Sequence, residues 1–131
     1  MEARQIVVVA EDDDELRELL VDALTDEHRK LVEVEDGSEL LDYLEFVERL
    51  GVQGYLPDLI LTDMRMPGAD VLEVVTWARS RGVSCPFVIL TGFADEQLRA
   101  AAARLGGTVI LNKPQSLEAI QTAARVALAR R

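Results

Sequence analysis

Five short apolar runs punctuate the chain, at Ile6 to Ala10, Leu31 to Val34, Leu59 to Thr62, Phe87 to Leu90 and Val109 to Leu111. The intervening segments carry a different period. Leu16, Leu19, Leu20, Ala23 and Leu24 fall at three- and four-residue steps, as do Leu40, Leu44 and Val47, and Val71, Val74, Val75 and Ala78. The same spacing recurs at Leu98, Ala101, Ala102 and Leu105, and at Leu117, Ile120, Ala124, Ala127 and Leu128. Strand-length runs alternating with helical faces predict five β/α units around a parallel sheet. The first, third and fourth runs are almost wholly apolar, as expected of interior strands covered by helices on both sides. Asp36-x-x-Glu39 and Asp70-x-x-Glu73 resemble capping boxes, Ser116 can cap the last helix, and Gly106-Gly107 ends the fourth.

Chemistry gathers at the strand tips. Glu11-Asp12 follows the first run, Asp63 follows Thr62 at the end of the third, Thr91 follows the fourth, and Lys113 stands just past the fifth. In open parallel sheets, ligands sit beyond the carboxyl ends of the strands where the strand order reverses. The strand order 2-1-3-4-5, taken over from known five-unit folds, makes strands one and three neighbours. Glu11, Asp12 and Asp63 then share one crevice flanked by Thr91 and Lys113.

The acidic run Glu11 to Glu15 has an ordinary reading as a solvated helix start. Its position divides it. Glu11 and Asp12 end a strand and are assigned to the site, Asp13 assists, and Asp14 and Glu15 sit favourably at the positive end of a helix. Thr91 alone reads as a structural strand-end residue and Lys113 alone as a surface lysine; their convergence with the acids argues otherwise.

Composition narrows the class. A chain of 131 residues, 49% hydrophobic and 29% charged, makes one soluble domain with its own core, expected to span 1–131 with no output domain. No apolar run approaches the roughly 20 residues of a membrane helix. Met1-Glu2-Ala3-Arg4 leads into a strand rather than a signal peptide, so a cytoplasmic protein is expected. The single cysteine, Cys85, excludes an internal disulfide or a cysteine zinc site and reads as a buried, inert thiol. A net charge of −10 argues against binding nucleic acid or anionic membrane, and suits either a basic partner surface or simple solubility. His28, the only histidine, lies in the charged stretch Asp26 to Lys30 and reads as a solvated imidazole rather than a phosphotransfer group. Trp77 and Tyr43 read as partly packed helix residues.

The chain resembles a response regulator receiver domain of bacterial two-component signalling. Four motifs carry the resemblance over nearly the whole length: Val9 to Asp13 with Leu16-Arg17, Pro57 to Asp63 with Met66-Pro67-Gly68, Val88 to Gly92, and Leu111 to Pro114. It implies a flavodoxin-like, three-layer α/β domain and an Asp63 that accepts a phosphoryl group from a histidine kinase or phosphotransfer protein. It further implies Mg²⁺ held by Asp12, Asp63 and the backbone carbonyl of Arg65, with Glu11 acting through a water. Thr91 and Lys113 would contact phosphoryl oxygens, and the Lys113–Pro114 peptide would be cis. Such a domain is a switch that catalyses only its own phosphorylation and dephosphorylation and signals to a partner protein. A homodimer through helix four, strand five and helix five is left open.

Departures from the family pattern carry their own expectations. Ile110 replaces a usual aromatic and puts the usual switching route in question; Val71 replaces a common glycine and should alter the start of helix three. Arg65 and Phe93 flank the path of a hydrolytic water and could lengthen the phosphoryl lifetime. The stretch Glu48 to Leu56 is long for such a link, and reads as a tolerated insertion more readily than as a partner-specific extension. A phosphorylation-independent adaptor is the alternative function, disfavoured because the five side chains of the site are all present. A haloacid-dehalogenase-type phosphatase needs an Asp where Arg65 stands. A flavodoxin-like flavin binder needs a hydroxyl-rich loop where this chain has acids.

Overall fold

The computed structural model describes residues 4–51 and 55–130. Strands and helices alternate: β1 (Gln5–Ala10), α1 (Asp14–Leu24), β2 (Arg29–Val34), α2 (Gly37–Leu50), β3 (Leu59–Asp63), α3 (Val71–Ser80), β4 (Phe87–Thr91), α4 (Glu96–Leu105), β5 (Thr108–Asn112) and α5 (Leu117–Ala129). All strand pairs are parallel and the order is β2-β1-β3-β4-β5, the flavodoxin-like arrangement expected.

Alternation along the central strands splits the core in two. Val8, Ala10, Ile60, Phe87 and Ile89 face α2, α3 and the single buried residue of α4, Ala102. Val7, Val9, Leu59, Leu61, Val88 and Leu90 face α1 and α5. Cys85 and Ile110 are buried in the first layer, against which Tyr43 and Trp77 are partly packed. His28 is exposed, as expected.

The helix starts follow the expected chemistry. Asp36 accepts from the Glu39 amide, Asp70 from those of Leu72 and Glu73, and Ser116 from that of Ala119. Asp13 caps α1 by accepting from the Leu16 amide, and Asp14 and Glu15 fill the first turn. Val71 is the first residue of α3, buried behind the Asp70 cap. Of the long link expected over 48–56, the first part is the end of α2, capped by Gly51 in the left-handed region (φ 64°); residues 52–54 lie outside the described set, as do 1–3 and 131.

Two helical faces are corrected. In α5 the buried stripe begins at Ile120, because Leu117 is 41% exposed. Leu19, assigned to the buried stripe of α1, is 52% exposed, whereas Arg17 is buried along with Leu20 and Leu24. The cause in α1 lies outside the helix, in acceptors just past β1 and on β2 described below.

The turn after β3 is fastened to α2. The Gly37 amide donates to the Pro67 carbonyl at 2.9 Å, and Gly68, at φ 92°, lies against Ser38. A Cβ on Gly37 would overlap the Ala69 backbone. Gly37→Ala should therefore destabilise the fold by about 2 to 3 kcal/mol, since the obstructing atoms are backbone and cannot rotate away. Urea unfolding checks this; a midpoint within error of the parent would mean that the junction is loose.

Candidate functional site

Sheet register builds the site as a staircase. Val9 pairs with Leu61 and Ala10 with Thr62, so the next residues on the two strands, Glu11 and Asp63, emerge side by side. Asp63 pairs with Leu90, which leaves Thr91 one step beyond on β4, and Thr91 pairs with Asn112, which leaves Lys113 one step beyond on β5. β1, β3 and β4 are buried on both faces, which fixes their register, whereas β5 is an edge strand with only Ile110 buried.

One carboxylate oxygen from each of Glu11, Asp12 and Asp63 lies within 4.8 Å of the others. Lys113 Nζ stands 2.9 Å from Asp63 Oδ1, and the Asp63 side chain is only 10% exposed. The Glu11 amide donates to the Val34 carbonyl, and Glu11 Oε2 accepts from the Asp13 amide at 3.0 Å. Glu11 Oε1 is buried with no hydrogen-bond partner among the described residues.

These surroundings raise the Glu11 carboxyl from 4.5 to about 7. Burial is the main cause. The Asp13 amide opposes it, the carboxyls of Asp12 and Asp63 push further upward, and the Lys113 charge pulls back. A buried carboxylate oxygen without a donor, facing two more carboxylates, is the donor set of a hard cation taking oxygen ligands. The acidic group thus fits Mg²⁺.

Arg65 joins Asp63, Gly92, Phe93 and Lys113 around a shallow pocket of about 360 Å³. Phe93 is 70% exposed at its rim. The Thr91 hydroxyl accepts from the Phe93 amide at 3.1 Å, which leaves its proton available to another acceptor. The Lys113 amide donates to the Thr91 carbonyl at 2.7 Å, and the Lys113–Pro114 peptide is cis.

Two contributors escape a reading of strand tips. Asn112 Oδ1 accepts from the Ala94 amide at 3.3 Å, tying the loop after β4 to the end of β5. Arg17 donates from Nη1 to the Glu11 carbonyl at 2.8 Å and from Nε to Glu33 Oε1 at 3.2 Å, while Nη2 reaches Asp14 Oδ1 at 2.7 Å. The signal for Arg17 was its place one turn into α1, two residues after the acidic run ends at Glu15.

A sequence profile described as the response regulator receiver domain matches residues 7–125, and the chain belongs to that family. Receiver domains of this kind are signalling modules of two-component systems. Among relatives, the DNA-binding transcriptional regulator NtrC of Klebsiella pneumoniae is 30% identical over 88% of this chain, which spans only 23% of NtrC. A 14.6 kDa protein of Leptolyngbya boryana is 32% identical over 97% of this chain and 93% of its own length. The fold is shared with the chemotaxis protein CheY4 of Vibrio cholerae, at a TM-score of 0.76 and 23% identity, covering 96% of this chain and 100% of that one. Among the described residues no helix is long and apolar enough to cross a membrane.

The raised Glu11 carboxyl sets a pH dependence. Between 4.5 and about 7 the folded chain holds a proton that the unfolded chain has released, so this group's contribution to stability falls as pH rises through that window. In metal-free buffer, the parent should lose up to about 3 kcal/mol relative to Glu11→Gln between about pH 5 and about pH 8. Urea unfolding of both proteins at the two pH values reads the difference directly; parallel stabilities would show that Glu11 ionises normally.

Proposed function

We propose that the chain is a phospho-receiver in which Asp63 takes a phosphoryl group from the phosphohistidine of a kinase or phosphotransfer protein. An Asp63 oxygen attacks phosphorus, the P–N bond breaks, and its electron pair leaves with the imidazole. The observation that carries this reading is the buried Asp63 carboxylate beside Lys113 Nζ at 2.9 Å, with Glu11 and Asp12 crowded against it.

Asp12, Asp63 and the Arg65 carbonyl would hold Mg²⁺, with Glu11 acting through a water. Bound there, the cation would offset charge on the transferring oxygens. Lys113 is proposed to exchange its contact with Asp63 for one with a phosphoryl oxygen, and the Thr91 hydroxyl to donate to another. Phosphoryl transfer asks mainly for in-line positioning and charge neutralisation, which these groups supply without a protein base. The output would be a changed surface read by a partner protein. A homodimer would use α4, β5 and α5, where Val109 and Val126 are exposed.

Incubation with acetyl phosphate, followed by intact-mass spectrometry, tests the reaction. A single phosphoryl adduct is expected that requires Mg²⁺ and is absent in Asp63→Asn. An unmodified chain that also fails to bind Mg²⁺ or a beryllofluoride mimic would return the function to a phosphorylation-independent adaptor.

Arg65 and Phe93 line the approach to Asp63 and are proposed to restrict the hydrolytic water. The double variant Arg65→Ala, Phe93→Ala should lose its phosphoryl group several-fold faster, followed by the decay of the adduct mass. An unchanged decay rate would remove both residues from that role.

A further inference from the structure

We infer that Arg17 is a positioning residue for the cation-binding acids, holding the turn between β1 and α1 in the shape that presents Glu11 and Asp12; the inference rests on the Mg²⁺-dependent reading above. Its guanidinium touches three elements at once. Nη1 binds the Glu11 carbonyl in a buried contact, Nε and Nη2 reach Glu33 Oε1 and Asp14 Oδ1, and Nη2 lies 3.5 Å from Glu35 Oε1. The end of β1, the start of α1 and the end of β2 are therefore drawn to one planar fork. A lysine, a point charge on a flexible stem, cannot reproduce that spread.

Glu11 is held on both sides of its α-carbon. Its amide is fixed to Val34 and its carbonyl to Arg17, so the following residue, Asp12, leaves the strand in a set direction. Without the second contact, the mutual repulsion of Glu11, Asp12 and Asp63 has an outlet, because a turn yields more easily than a sheet. The carboxylates would separate and a cation would have to gather them again, which weakens its binding.

Charge alone predicts the opposite sign. A guanidinium near the acids repels a divalent cation, so neutralising Arg17 would tighten binding if only its field mattered. Arg17 is flanked by Asp14, Glu33 and Glu35, which offset that field. Geometry is left as the larger effect.

The test is a calorimetric Mg²⁺ titration of the full chain and of Arg17→Gln, Arg17→Lys and Glu33→Gln, with Tm recorded for each. Mg²⁺ should bind about tenfold more weakly to Arg17→Gln, several-fold more weakly to Arg17→Lys despite its retained charge, and within twofold of the parent to Glu33→Gln. A lowered Tm with unchanged Mg²⁺ affinity would make Arg17 merely structural, and tighter binding would make its effect purely electrostatic; either overturns the inference. A parent that binds no Mg²⁺ would instead overturn the functional reading and this inference with it. Should neither arginine variant fold, reciprocity supplies a test on the unaltered chain: saturating Mg²⁺ must slow exchange of the Arg17 guanidinium protons several-fold, and unchanged exchange would refute the coupling.

Discussion

Three carboxylates that repel one another are kept within one small volume, and much of the architecture serves that constraint. At about 4 Å and an effective dielectric near 20, a pair of like charges opposes approach by about 4 kcal/mol. No local turn could hold such a group. The sheet can, because Glu11 and Asp63 are the next residues of adjacent strands whose apolar side chains are buried on both faces. Separating the acids at their roots would require moving β1 from β3, and with them the packing of Val7, Val9, Leu59 and Leu61. Part of the remaining repulsion is relieved by Lys113 against Asp63, and part by the proton that Glu11 retains toward neutral pH. Both arrangements leave the site primed for a cation, which can take over the work of the proton on Glu11 and much of that of the lysine.

The interior of this fold was legible in the sequence because burial on two faces forces continuous apolar runs, which seldom arise in any different way. The edge strands were less so. β2 begins at Arg29, two residues before the apolar run starts at Leu31, since one side of an edge strand is wetted and tolerates Arg29 and Lys30. The site residues could be located because each stands where a strand ends, a position that periodicity marks well. Their partners could not. Periodicity placed Leu19 inside α1 and was silent on Arg17, because the acceptors that draw the guanidinium inward belong to Glu11, just past β1, and to Glu33 on β2. The Gly37–Pro67 contact was equally hidden: a glycine in the chain signals freedom of backbone or closeness of a neighbour, and only the folded structure says which neighbour.

The turns around Asp63 are not equally constrained, and the difference bears on how a charge change there would spread. The turn after β3 is fastened to α2 through Gly37 and Gly68, with backbone against backbone. The loop after β4 is held by thinner means, the Phe93 amide on the Thr91 hydroxyl and the Ala94 amide on the Asn112 side chain. It leads into α4, whose only buried residue is Ala102, whereas α3 buries Val71, Val74, Val75 and Ala78. Local displacement costs least where few apolar contacts are lost, so the α4 side yields before the α2 side. Ile110 does not alter that ranking. It is buried in the core layer beneath α4 and, unlike a large aromatic, has no ring to swing between an inward and an outward position. Were Thr91 drawn toward a new acceptor, the loop tied to its hydroxyl through the Phe93 amide would be the part to follow it.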